Sequence, residues 1–232
     1  CLASNMNPGI ADLCDEILIG NFNDPDFVVS YAKETGTILA IIGPENPLAN
    51  GVADALWEAG VKVVGPTKNL AQLETSKAFT RNLLKEYNIP GGPKYQTFNS
   101  MDGVADFLNE LGENYVVKYD GLAGGKGVKV AGEHLHFHDE ALAYCQELVK
   151  NNGEFVIEEK FSGEEFSLMS FCDGETLKHM PAVQDHKRAY EGDSGPNTGG
   201  MGTYSDANHS LPFLSVDEIS QAHDINIKTA NA

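Results

Sequence analysis

NYVVKYDGLAGGKGVKVAG, residues 114–132, is the stretch on which the fold turns. A run of β-branched and aromatic residues, Tyr115–Tyr119, enters a loop carrying Gly121, Gly124, Gly125 and Gly127, and Val128-Lys129-Val130 reads as a second strand. A lysine among glycines points to a phosphate. The common phosphate loop does not fit, because Gly127 follows Lys126 where a serine or threonine is required. A dinucleotide fingerprint fails as well, since it needs a helix after its last glycine. The stretch is therefore a glycine-rich hairpin between two strands, able to fold over a nucleotide and offer backbone N–H groups as an anion nest. Lys118, Lys126 and Lys129 cluster on it, with alternation turning Lys129 to solvent.

Upstream, Thr37–Ile42 is a continuous apolar run, expected as a core strand, that ends in Gly43-Pro44. Leu48–Ala59 has helical spacing and stops at Gly60, and Val61–Val64 is a strand ending in Gly65-Pro66. This β-α-β unit, preceded by a helix over Asp26–Glu34, implies a parallel sheet with ligands at the carboxyl ends of its strands. A helix over Ser76–Tyr87 precedes the breaker cluster Asn88-Ile89-Pro90-Gly91-Gly92-Pro93. Beyond it the pattern predicts strand Lys94–Phe98, helix Asp102–Leu111, strand Tyr115–Tyr119, the loop, strand Val128–Ala131, helix Asp139–Lys150 and strand Glu154–Glu158. Two longer strands, Glu165–Cys172 and Thr176–Ala182, follow around the turn Asp173-Gly174.

The 232 residues carry 16 Lys+Arg against 34 Asp+Glu, a net charge of −18. Such a surface repels nucleic acids and anionic membranes, so an anionic ligand must be held by a local basic spot. Besides the loop lysines, Lys187-Arg188 forms a second such spot. No apolar run approaches the roughly 20 residues of a membrane span, and there is no cationic, apolar signal segment at the start. The four cysteines, Cys1, Cys14, Cys145 and Cys172, are scattered without a C-x-x-C pair. They read as reduced thiols of a cytoplasmic protein, Cys145 and Cys172 as buried filler.

Three further stretches bear on chemistry. In VIEEKFSGEEFS (156–167), Glu158, the backbone of Lys160-Phe161 and Glu165 have the order of an acceptor for an adenine amino group, a ring edge contact and a carboxylate for ribose hydroxyls. The plainer reading is a solvated strand end. The segment 181–205, PAVQDHKRAYEGDSGPNTGGMGTYS, is nearly free of aliphatics and is expected as a long functional loop. Its cations, turns and donors suit a sugar phosphate. His134, His136 and His138 alternate; on a strand they would share a face open to a metal, whereas in a turn before a helix Asp139 would be the cap.

Together IIGPENPLANGVADALWEAGVKVVGPT, LETSKAF, VVKYDGLAGGKGV, VIEEKFSGEEFS and QDHKRAYEGDSGPNTGGMGTYS resemble the phosphoribosylamine–glycine ligases, ATP-grasp enzymes of purine synthesis. The hairpin motif alone would indicate only the ATP-grasp superfamily; the QDHKR and GDSGPNTGGMG pieces are specific to this ligase. The resemblance runs over nearly the whole chain. It implies α/β and α+β architecture: a parallel-sheet pre-ATP-grasp domain at 1–73, a linking helix at 74–93, an ATP-grasp lid at 94–158 and an incomplete ATP-grasp core at 159–232. The family's opening strand and G-G-G-G-R-E-H-A turn do not precede Cys1, and its P-G-N-x-G turn is altered to Ala3-Ser4-Asn5-Met6-Asn7-Pro8-Gly9. The family's metal-binding stretch of Glu, Asn and Arg followed by G-D-P-E is not reached by Ala232. An internal fragment truncated at the C-terminus is the expectation.

The resemblance also assigns residues. Lys77 and Lys118 hold ATP phosphates, and Gly124, Gly125, Lys126 and Gly127 form the loop over them. Glu158, Lys160 and Phe161 face adenine, and Glu165 takes the ribose. Asp185, Lys187, Arg188, Asn197, Thr198, Gly199, Gly200 and Met201 line the side of 5-phosphoribosylamine and glycyl phosphate, with Glu45 as a further contact. Lys118, Lys126 and Arg188 are the catalytic set. ATP and Mg²⁺ or Mn²⁺ are the implied cofactors, with no metal ligand expected inside the chain. Another ATP-grasp carboxylate–amine ligase, or a non-catalytic nucleotide-binding module, is the alternative.

Overall fold

The computed structural model describes residues 1–123, 127–151 and 153–232. They divide into two units, Cys1–Thr80 with Asp120–Leu122, and Arg81–Tyr119 with Ala123–Ala232. The loop residues Gly124, Gly125 and Lys126 lie outside the described residues.

The first unit runs β1 (Leu2–Ala3), α1 (Pro8–Ala11), β2 (Leu18–Ile19), α2 (Pro25–Glu34), β3 (Leu39–Ile41), α3 (Glu45–Ala49), α4 (Val52–Glu58), β4 (Lys62–Val64), α5 (Gln72–Thr75) and the start of α6 (Lys77–Glu86). Helix α2 starts where it does because the Asp24 carboxylate accepts the N–H groups of Asp26 and Phe27 at 3.0 and 3.4 Å, with Pro25 in the first turn. Strand β3 pairs in parallel with β4, Leu39 opposite Lys62, and the crossover carries α3 and α4. The single helix expected over Leu48–Ala59 is broken, since Gly51 stands between α3 and α4 at φ +84°.

The expected core strand Thr37–Ile42 also differs. Only Leu39–Ile41 is strand, and Ile38, Leu39 and Ile41 are 82, 52 and 75% exposed. Alternation explains Leu39 and Ile41, whereas Ile38 precedes the strand. Ala40, Ile42 and Val63 pack against Ala32, Val52, Leu56 and Val61, so the helices cover one face of the pair and leave the other in solvent. β1–β2 and β3–β4 remain separate two-stranded parallel pairs.

In the second unit β5 (Tyr95–Phe98), α7 (Val104–Leu111), β6 (Tyr115–Tyr119), β7 (Val128–Val130), α8 (His138–Lys150) and β8 (Phe155–Glu159) build an antiparallel sheet of order β5-β8-β6-β7. The β6–β7 pair sets Lys118 opposite Val128 and Val117 opposite Lys129, with the glycine-rich loop between the strands as expected. On one face Val117, Phe155 and Ile157 pack with Val104, Leu108, Ala141 and Cys145, all fully buried. Each large side chain withdrawn from water there contributes about 1.5–3 kcal/mol. Phe98 stacks on Phe155 with ring centroids 5.5 Å apart. Beyond the sheet come β9 (Ser170–Cys172), β10 (Leu177–His179), β11 (Gln184–Tyr190), β12 (Ser194–Tyr204) and α9 (Val216–Asn231).

Several expectations are corrected here. The two longer strands shrink to three residues each in β9 and β10, extended only by a bridge between Ser167 and Val183. The expected loop 181–205 is the antiparallel hairpin β11–β12, with register shifts on both sides of Arg188. Most of it is exposed, which is why apolar alternation never marked it as strand. Helix α9 was not expected, although Ser215 and Glu218 form a full capping box at its start. Cys172 is exposed rather than buried; Cys145 is buried as expected, and burial pushes its thiol up to about 12, which makes it inert.

Candidate functional site

The face of the second unit's sheet opposite α7 and α8 carries the charges. Val116 pairs with Glu158 and Lys118 with Val156, so Lys118 and Glu158 are diagonal neighbours on one face. The Lys118 ammonium contacts Glu158 Oε1 directly. From α6, Arg81 donates Nε to Oε2 at 2.8 Å and Nη2 to Oε1 at 3.3 Å. Glu158 is only 3% exposed. Burial alone would raise its pKa; the Arg81 hydrogen bonds and the Lys118 charge outweigh that and hold it below the usual carboxylate value.

The electrostatic consequence is simple. One buried carboxylate faces two cations, so the cluster holds a surplus positive charge in a chain of net charge −18. An anion drawn to Lys118 would leave Arg81 still compensating Glu158. Both Glu158 oxygens are engaged in this structure, so an adenine amino group would have to displace a cation to reach them. Lys129 is corrected in direction: it does not join Lys118, and its ammonium lies 5.9 Å from the Tyr144 ring centroid on the helix side of the sheet.

At the start of the glycine loop, Asp120 belongs to the first unit. Its Oδ2 accepts from Ser76 Oγ at 2.9 Å and its Oδ1 from the N–H of Ala78 at 3.1 Å, while Ser76 Oγ accepts from the N–H of Phe79 at 3.0 Å. A carboxylate and a hydroxyl thus cap α6 at its positive end. Lys77 Nζ donates to Gly121 O at 3.1 Å, so the first residue of α6 is fastened to the same loop entry. Asp120→Ala is expected to lower stability by about 1–2 kcal/mol, read by urea unfolding. An unchanged midpoint would refute the anchoring role. At the loop exit, a side chain on Gly127 would meet Cβ of Tyr119 and Ala123 at 3.0 Å, a fit so tight that these neighbours would have to shift.

The β11–β12 hairpin gathers the expected substrate residues. Arg188 pairs in register with Asn197 and donates Nη1 to Gly195 O at 2.8 Å and Nη2 to Glu133 Oε2 at 2.8 Å. Lys187 reaches Asp185 at 3.4 Å. Thr198 Oγ1 donates to Lys187 O at 2.9 Å and accepts from the N–H of Gly200 at 3.1 Å. Met201 is exposed beside them on β12. Phe161 and Glu165 are exposed on the segment after β8. Glu45 lies in the first unit, in a cavity of about 290 Å³ at the carboxyl ends of β3 and β4 with Leu48, Pro66 and Glu74.

Among the described residues no group of three or more His, Cys, Asp or Glu is placed to hold a metal. The three alternating histidines do not act together: His134 Nδ1 accepts from the N–H of Val130, and His138 opens α8 with Nε2 2.7 Å from Gly112 O. Phe137, not Asp139, is the N-cap. Sequence reasoning missed Arg81, Asp120 and Glu133. Arg81 sits one helical turn after Lys77, and Asp120 follows Tyr119 within the K-x-D-G motif, so both had a local signal; Glu133 had none.

Residues 1–74 match the family model for the phosphoribosylglycinamide synthetase N domain, and 75–232 that for the ATP-grasp (A) domain of the same enzyme. A phosphoribosylamine–glycine ligase of Methanosarcina barkeri is 51% identical over 231 residues, covering 100% of this chain and 53% of the relative. The crystal structure of a phosphoribosylamine–glycine ligase from Thermotoga maritima superposes with a TM-score of 0.63 at 30% identity, over 73% of this chain and 42% of that one. An N5-carboxyaminoimidazole ribonucleotide synthetase from Thermus thermophilus, at 16% identity, covers 99% of this chain and 56% of its own with a TM-score of 0.68, a likeness of fold alone. The chain spans about half the length of the curated relatives it matches.

Proposed function

The chain belongs to the phosphoribosylglycinamide synthetase family, and from that premise we propose that the protein is an ATP-dependent ligase joining glycine to 5-phosphoribosylamine. The products are glycinamide ribonucleotide, ADP and phosphate, made in the cytoplasm for purine synthesis. The domain limits proposed are those of the resemblance: 1–73, 74–93, 94–158 and 159–232.

The glycine carboxylate attacks the γ-phosphorus of ATP, the bond to the β-phosphate oxygen breaks, and glycyl phosphate and ADP result. The amine of phosphoribosylamine then attacks the acyl carbon, phosphate leaves, and the amine proton passes to solvent. The first step brings two anions together, so it needs fixed positive charge. Lys118 supplies it on the sheet and Lys77 at the start of α6, with Lys126 assigned to the loop. Glu158 keeps Lys118 extended along the sheet face until the nucleotide arrives. A divalent cation, Mg²⁺ or Mn²⁺, would supply further charge neutralisation when bound, and no group of three or more His, Cys, Asp or Glu among the described residues is placed to hold it. Lys160, Phe161 and Glu165 are proposed for the adenosine end. Arg188, Lys187, Asn197 and Thr198 are proposed for the substrate phosphate, and Glu45 for the same substrate.

The observation that carries this reading is the surplus cation at Lys118, set beside a glycine hairpin in an acidic protein. The test is phosphate release by the full-length protein with ATP and a divalent cation. Release is expected to require glycine and phosphoribosylamine together. ADP production driven equally well by an unrelated amine, or ATP binding without any turnover, would overturn it.

A further inference from the structure

Glu133 lies in the turn between β7 and α8, and that turn is held stiff. Gly132, at φ +81°, donates its N–H to Leu135 O at 2.9 Å; the N–H of His134 reaches Val130 O at 2.9 Å, and the N–H of Val130 returns to His134 Nδ1 at 3.3 Å. From this platform the Glu133 carboxylate meets two cations from separate elements. Oε2 accepts from Arg188 Nη2 of the β11–β12 hairpin at 2.8 Å, and Oε1 lies 3.7 Å from Lys160 Nζ just past β8. Lys160 Nζ also donates to Ala131 O at 3.2 Å, so the same turn grips it twice. Arg188 is gripped twice as well, by Glu133 and by Gly195 O of its own hairpin.

We propose that Glu133 is a positioning residue that holds the Arg188 guanidinium ready for the phosphate of the amine substrate and ties it to the nucleotide-side segment at Lys160. The inference rests on Arg188 being a substrate contact. A guanidinium with its fork anchored at two points presents its remaining donors in a fixed direction and loses less freedom on binding an anion. A free arginine side chain would have to be ordered by the substrate itself. The Glu133 side chain is 40% exposed, so it carries little of the fold, and a change there can be read as a change in positioning.

The test uses full-length E133Q, R188A and the double variant E133Q/R188A. E133Q is expected to raise KM for phosphoribosylamine about fivefold while kcat and the KM values for ATP and glycine stay within about twofold. R188A should raise the same KM further, and the double variant should be no worse than R188A in that KM, because the carboxylate acts on this substrate through that arginine. An unchanged KM for phosphoribosylamine in E133Q, with R188A impaired, overturns the positioning role and leaves Arg188 as a contact. An unimpaired R188A overturns both. A melting temperature that falls in step with every kinetic constant would make Glu133 structural and also overturn the proposal.

Discussion

Lys118→Ala in the full-length protein is expected to weaken ATP binding by about 1.5–3 kcal/mol, roughly ten- to more than a hundredfold in Kd. The argument is one of charge. The Glu158 carboxylate is almost fully buried and is compensated from two sides, so Lys118 is the cation that can be given up to a phosphate without stranding a charge. Removing it leaves Arg81 and Glu158 as a neutral pair and removes the surplus charge of this cluster. Lys129→Ala is the control. It lies one strand away but on the opposite face, near the Tyr144 ring, and should change Kd by less than about twofold. Isothermal titration with ATP decides between them. Equal losses from both variants would mean that the sheet face has been misassigned.

Why that face was only half legible in the sequence follows from what each signal encodes. Alternation is local, so Val116, Lys118 and Tyr115, Val117 sort to opposite faces by inspection, and the glycine cluster marks the β6–β7 turn. A partner 77 residues away is not local: nothing near Glu158 announces that Arg81 will reach it. The same stretch was read as a solvated strand end or an adenosine contact, because a carboxylate run looks identical whether or not a distant helix brings a cation. The apolar run Thr37–Ile42 failed for a related reason. Hydrophobicity shows what a strand is able to bury, whereas the exposure of Leu39 and Ile41 depends on what covers each face. The β11–β12 hairpin was hidden by its composition, since a ribbon exposed on both sides needs no apolar alternation. Helix α9 was legible in Ser-Val-Asp-Glu at 215–218 as a capping box before a helical stretch. Arg188 and its neighbours were marked by local charge and turn residues as well as by the resemblance; their partner Glu133 belongs to no motif, so only the fold brings it to them.

The second large effect concerns Glu158 itself. Glu158→Gln should destabilise the protein by about 3–5 kcal/mol at pH 7, because it leaves the Arg81 and Lys118 cations facing one another over a neutral amide. The loss has a pH signature that a simple packing defect lacks. In the folded protein the carboxyl titrates below its ordinary value near 4.5: burial opposes ionisation, and the Arg81 and Lys118 contacts more than reverse it. A group whose folded pKa is depressed contributes stability that is complete above the unfolded value and disappears as the pH falls through the folded one. The stability difference between the wild type and E158Q should therefore be constant from pH 7 to about 5 and shrink steadily below that, other carboxylates cancelling because both proteins carry them. Arg81→Met sharpens the test. With the two guanidinium bonds gone, burial is opposed by Lys118 alone, the carboxyl titrates higher, and acid should unfold this variant at a higher pH than the wild type. Urea unfolding of all three proteins between pH 3 and pH 7 gives the answer. A wild type–E158Q difference that does not vary with pH would show that the carboxylate is not the charged hub of the cluster, and the surplus-cation argument for Lys118 would fall with it.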